Sequence, residues 1–406
     1  MTALPAELPN RLSNSPTIKS AYLICLQFEQ SAKTHPDPKR LIYARLLGYL
    51  MLAGPSDGAC VAVAREVLSC ADDDALALNG KMYYDHYIYA FKKVKCRTPI
   101  PSRHISPPSF DTRKAMITGM LVEVPQSHRD AKKNALIRDG FRCVVTGFYE
   151  KSMVENNKEL EKLSDEEGWT LNATDCAHIF AESDMPDANE GSNKHHYAAS
   201  LWAVMDRFGY QRIPSDLNGN NIHRLENVLT LDVGVRCLFD ELKLWFEPTD
   251  TSNTYKLTSP SPRYIAQHYK TSVTFTTPDP EKLPLPSPEY LSIHAACAKV
   301  AHLSGAGQHI DKVLRELEDT KVLSKDGSSA EALEHALLPT NLLCIVTNPK
   351  AKTDVLGTRA PPSPTLSAID TLTLVEVSDC ILSDAVDLQH AFAPVRLAAS
   401  ADAKQL

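Results

Sequence analysis

Four residues, spread over some sixty-odd positions, carry the types and order that acid–base chemistry on a phosphate would need. His178 sits in the run CAHIF, Asn227 in ENVLTLD, and Arg236 and Asp240 in RCLFD. A histidine at the end of a strand can take a proton from water, because its ordinary pKa lies near 6.5. An asparagine in the next strand region can orient that histidine or its loop. A carboxylate on a following helix can hold a divalent ion against a scissile phosphate and offset the charge that builds there. The groups can be far apart in sequence, provided two strands and a helix fold them together.

The wording is as informative as the spacing. RDGFRCVVTG, CAHIF, ENVLTLD and RCLFD follow one another in the order of an R-C-x-x-T-G turn, an A-H-I strand, an N-x-x-x-L strand and an F-D helix. This resembles the HNH endonuclease domain, a ββα-metal nuclease found in many fungal proteins. GYLMLAGPS, ISPPSFD, LKLWFEP, LPLPSPEYLSIHAA and KVAHLSGAGQHI also look like stretches that flank that domain. The resemblance implies metal-dependent endonuclease action on phosphodiester bonds, with DNA preferred to RNA as the nucleic-acid partner. It implies His178 as the catalytic base, Asn227 as the orienting group and Asp240 as a metal ligand. Asp175 is a second candidate ligand for Mg²⁺ or Mn²⁺, with Zn²⁺ a further possibility. Cys176 and the pair His195–His196 are reserve donors. On a strand Cys176 shares a face with His178, and Asp175 points the other way.

One position breaks the pattern. Where the family has its last histidine, this chain has Arg236. A guanidinium stays protonated and has no lone pair for a cation. The metal could therefore be lost, with Arg236 binding phosphate in its place. The alternative reading is a catalytically degenerate HNH fold that serves as a nucleic-acid-binding or protein-interaction module. Plainer readings stand beside these. His178 alone could be a core histidine. Asn227 could close a turn, and Arg236 and Asp240 could form an ordinary i,i+4 ion pair worth a few tenths of a kcal/mol. Structural zinc held by Cys143, Cys176 and Cys237 with His178 is disfavoured, since the chain has no C-x-x-C pair.

The elements that would position these groups can be read from periodicity. Leu41, Ala44, Leu47, Leu50 and Met51 mark a helix that stops at Gly54-Pro55. Further helices are expected over residues 61–69 and 75–95. On the last of these, Tyr84, Tyr87, Ile88 and Phe91 would face a core, and Lys92, Lys93 and Lys95 would face water. Residues 127–139 read as a helix closed by Gly140, 174–181 and 227–231 as strands, and 197–208 as a small helix. Asp232 is placed to cap a helix reaching residue 242. Residues 244–247 and 254–257 could form a hairpin, and 290–303 and 308–317 look helical. Proline-rich connectors fall at 97–111 and 278–288.

These add up to an α+β protein: a helical N-terminal region (1–125), an HNH-like domain with long insertions (126–325) and a poorly ordered C-terminal tail (326–406). Hydrophobic residues make up 43% of the 406 and charged residues 23%, an ordinary globular balance. A net charge of -7 argues against a general nucleic-acid coat protein, although bases outnumber acids between residues 81 and 133. Ten dispersed cysteines are expected as reduced thiols. No signal-like or membrane-spanning run is visible. The expected location is intracellular, nuclear or cytoplasmic, with no membrane partner.

Overall fold

The apolar periodicity of the N-terminal region does become helix. In the computed structural model, which describes residues 1–92, 128–156, 161–162, 164–165, 170–181 and 193–319, α1 (Pro16–Ala32), α2 (Lys39–Ala53), α3 (Asp57–Ser69) and α4 (Asp73–Tyr83) pack on one another. Each start has a local cause. The side chains of Ser15, Ser56 and Asp72 accept from Ile18 N, Ala59 N and Ala75 N at the heads of α1, α3 and α4. Helix α2 is buried without a break from Ile42 to Met51, so it is the central rod of the layer.

After α4 the chain continues through a π-helical turn, Tyr84–Ile88, and one more helical turn, Tyr89–Phe91. The aromatic face expected there is buried. Tyr87 donates its hydroxyl to Ile293 O at 3.0 Å, and Phe91 meets Phe180 edge-on with ring centroids 5.0 Å apart. One hydrophobic core therefore runs from Leu4 to Ile310. Lys92 corrects the sequence reading that put it in water. It is buried, donates to Glu241 O at 2.8 Å and pairs with Asp311 at 2.8 Å. Burial pulls its pKa below the usual lysine value, against the pull of Asp311.

Helix α5 (His128–Arg138) ends as expected at Gly140, whose φ is +67°, a left-handed turn that glycine takes without strain. Short strands β1 (Tyr149–Glu150) and β2 (Leu171–Asn172) pair in parallel. The centre is the antiparallel pair β3 (Thr174–His178) and β4 (Val228–Asp232), in register from Thr174↔Asp232 to His178↔Val228. Helix α6 (Asn193–Arg207) lies between them in sequence. Helix α7 (Val233–Asp240) leaves β4 directly, capped by Asp232, which accepts from Gly234 N at 2.8 Å. The expected hairpin forms as β5 (Trp245–Pro248) and β6 (Thr254–Thr258). A third strand, β7 (Ser272–Thr274), was not foreseen. Helices α8 (Pro288–Ser304) and α9 (Ala306–Asp319) close the core.

The architecture is thus α+β, with a helical N-terminal layer and small sheets around a ββα centre. The first proline-rich connector, Lys93, Lys95 and the tail after residue 326 lie outside the described residues, as do the side chains of His195 and His196. Among the described residues no helix is long and apolar enough to cross a membrane, and the cysteines are free thiols.

Candidate functional site

Strand β3 sorts its side chains by alternation. Cys176 and His178 fall on one face and Asp175 and Ala177 on the other. Helix α5 covers the first face: Ala131 and Ala135 pack with Cys176 and Val228. Helix α7 meets the second. The hairpin therefore carries two groups of functional side chains, one on each side.

On the α5 side three imidazoles meet. His178 is 6% exposed, and its Nε2 lies 3.0 Å from Nδ1 of His223, which is also buried. His128, in the first turn of α5, brings its ring centroid to 5.3 Å from that of His178 and 6.2 Å from that of His223. Cys176 sits beside them, its thiol pushed up to about 12 by burial, although Arg138 and Arg236 pull the other way. Neither His128 nor His223 was picked out from the sequence. No motif spacing links His128 to His178, and His223 arrives from a 3₁₀ turn, Gly219–His223, that ordinary periodicity does not mark.

Asn227 has no exposed surface and uses its whole amide. Its Oδ1 accepts from Phe180 N at 2.9 Å. Its Nδ2 donates to Phe180 O at 2.9 Å and to Ile222 O at 2.8 Å. Ile179 N donates to Asn227 O at 2.8 Å. The asparagine thus clasps the two residues that follow His178 and ties them to the turn that carries His223. Asn227→Ala should cost about 3 kcal/mol or more of stability, because three buried backbone groups lose their partner at once. Thermal denaturation checks this. Asn227→Asp should not rescue it, since the oxygen replacing Nδ2 would face two carbonyl oxygens.

On the α7 side Arg236 bridges both candidate ligands. Its NH1 lies 3.1 Å from Asp175 Oδ2 and its Nε 3.3 Å from Asp240 Oδ2. Burial alone would lower the arginine pKa, but Asp240 and Asp175 outweigh it and hold the guanidinium above its usual value. The pair foreseen as i,i+4 is present, with a third member from β3. Asp175 and Asp240 are the oxygen donors a Mg²⁺ or Mn²⁺ would want, yet a guanidinium already stands between them. This end of the site does not fit a resident hard cation. The nitrogen and sulfur donors of His128, Cys176 and His178 fit a softer divalent ion.

Residues 143–247 match the family described as HNH endonuclease. The chain carries an HNH-type domain. The match takes in β1 to β4, α7 and most of β5, hence His178, His223, Asn227, Arg236 and both aspartates. It leaves out α5 with His128. No curated protein and no solved structure matches the chain. An HNH domain points to nuclease-type chemistry on nucleic acid, with a divalent ion typical of the family.

Proposed function

We propose that the HNH domain hydrolyses phosphodiester bonds in DNA, with His178 taking the proton from the attacking water. The observation that carries this is the placement of His178. It ends β3 in a ββα arrangement, its loop is clasped by Asn227, and its ring is fixed by His223. A base needs that kind of fixed orientation, because rate falls off steeply with misplacement. Asn227 is a positioning residue: it touches the backbone after His178. Asp175 and Asp240 are the residues that would hold Mg²⁺ or Mn²⁺ if Arg236 gave way, and such an ion would neutralise charge on the phosphate. The test is conversion of supercoiled plasmid to the nicked form by purified full chain with Mg²⁺, Mn²⁺ or chelator. Nicking supports the proposal. Folded protein that leaves plasmid intact under every condition overturns it.

Arg236 favours a second reading, in which the domain binds nucleic acid without cutting it. Its charge is held by two carboxylates where the family pattern has a metal-ligating histidine. The two readings part on Arg236→His. If the catalytic reading holds, restoring the ligand should raise nicking by about tenfold or more, with Mg²⁺ dependence. A variant that still shifts DNA in a gel and still does not cut it supports the binding module.

A further inference from the structure

The α5 face of the hairpin gathers three metal-binding side chains from two elements. His128 opens α5, and Cys176 and His178 stand two apart on β3. One ring nitrogen of each histidine and the Cys176 sulfur all lie within 4.8 Å of one another. Two imidazoles and a thiol, with no carboxylate among them, are a borderline-to-soft donor set. That set selects Zn²⁺ or Co²⁺ over Mg²⁺ and Ca²⁺, which want oxygen.

We propose that His128, Cys176 and His178 form a Zn²⁺-class metal site, with His223 as the outer partner that orients His178. Donors around a tetrahedral zinc stand roughly 3.3–3.8 Å apart, given bonds of about 2.0–2.3 Å. With no pair beyond 4.8 Å, closing the cluster takes no more than about 1.5 Å from any pair. His128 can supply this, because it is exposed and stands in the first turn of α5. Cys176 and His178 are fixed by the β3–β4 ladder. A metal-bound imidazole characteristically donates its other N–H to a nearby acceptor, and that fixes the ring. His223 stands at that distance, 3.0 Å from His178.

The arrangement is unlike the zinc site disfavoured on sequence grounds. That one needed Cys143 and Cys237, and the absence of C-x-x-C spacing counted against it. Here α5 contributes a ligand from a segment fifty residues upstream of His178, which no spacing rule would reveal. Three protein ligands leave one position open, as zinc sites that exchange water do. The site touches the proposed hydrolase through His178: with one ring nitrogen on His223 and the other on an ion it has no lone pair left for a proton, so Zn²⁺ bound here should block nicking and the Zn²⁺-free chain is the hydrolase.

The experiment is metal binding by the full chain after treatment with chelator. Zn²⁺ is titrated by calorimetry and Co²⁺ by absorbance. Expected are one ion per chain and, with Co²⁺, a thiolate-to-cobalt charge-transfer band that Cys176→Ser abolishes. His128→Ala should weaken Zn²⁺ binding by about tenfold or more. Because His128 is exposed, that variant keeps the fold and the test stands even if Cys176→Ser misfolds. No stoichiometric binding, or binding that is equally tight in His128→Ala, overturns the proposal. None of these readouts uses nucleic acid. A chain that binds one Zn²⁺ through these residues, and that after removal of the Zn²⁺ still leaves plasmid intact with Mg²⁺ or Mn²⁺, would sink the hydrolase reading alone.

Discussion

His178→Ala should cut the rate of plasmid nicking by about 10²–10⁴-fold, the span a positioned general base contributes. Loss on this scale follows from where the residue is. The ring is 6% exposed and oriented by His223, and the next two backbone amides are locked by Asn227. Alanine removes the acceptor without disturbing that lock, because none of the clasp's hydrogen bonds runs through the His178 side chain. Helix content should therefore stay near that of the parent, the melting temperature should fall by only a few degrees as buried His223 loses this hydrogen bond, and DNA affinity in a gel shift should change little. The rate constant, rather than the half-saturating DNA concentration, should carry the effect. Nicking that persists undiminished in this variant would place the chemistry elsewhere in the chain. A matching collapse of the melting temperature would show His178 to be a packing residue whose loss unfolds the centre.

The centre of the fold was legible because its signals are local. CAHIF and NVLTL are apolar runs of strand length. Asp232 stands at the head of an amphipathic turn, and Gly140 closes a helix that polar residues had already outlined. Each became the expected element within a few residues. Helix α4 ran true to Tyr83, and the burial of Tyr84, Tyr87, Ile88 and Phe91 followed the helical face. Lys92 did not, because its burial depends on Asp311 and Glu241, far along the chain, and nothing near Lys92 announces them. Strand β7 was missed for a like reason. Three residues, Ser272–Thr274, carry too short a pattern to read, and they are strand only because β6 offers them an edge.

The site divides the same way. His178, Asn227, Arg236 and Asp240 are singled out by the order of short motifs. The Arg236–Asp240 pair needed only helical spacing. The second carboxylate, Asp175, could be placed only on the face opposite His178, and the structure shows that this face meets α7. His128 and His223 stayed invisible, because each reaches the cluster through tertiary packing. Asn227 looked equally like a turn former and an orienting group. Its hydrogen bonds reach both the residues that follow His178 and the turn that carries His223.

Arg138→Met should be the most destabilising of the substitutions considered, at about 3–5 kcal/mol, the usual consequence of removing one partner of a buried charge pair. The Arg138 side chain has no exposed surface and Asp139 only 2%. The guanidinium meets both carboxylate oxygens of Asp139, at 2.8 and 3.0 Å. It also donates to Leu225 O at 2.7 Å, Val228 O at 2.8 Å and Pro284 O at 3.3 Å. Asp139 in turn accepts from Thr230 N at 3.1 Å. This network fastens the end of α5 to β4 and to the connector that leads into α8. Methionine fills much of the volume but leaves a buried carboxylate unpaired and three carbonyls without their donor. The melting temperature should fall by on the order of 10 °C for a unit of this size. Arg138→Met combined with Asp139→Leu should recover part of that loss, because the unpaired charge goes with its partner. The consequence reaches the site, since α5 also carries His128. A chain whose α5 has come loose should bind Zn²⁺ more weakly although every ligand is still present. Arg138→Met that melts within a degree or two of the parent would mean that Ala131 and Ala135, packed on Cys176 and Val228, hold α5 in place without the arginine.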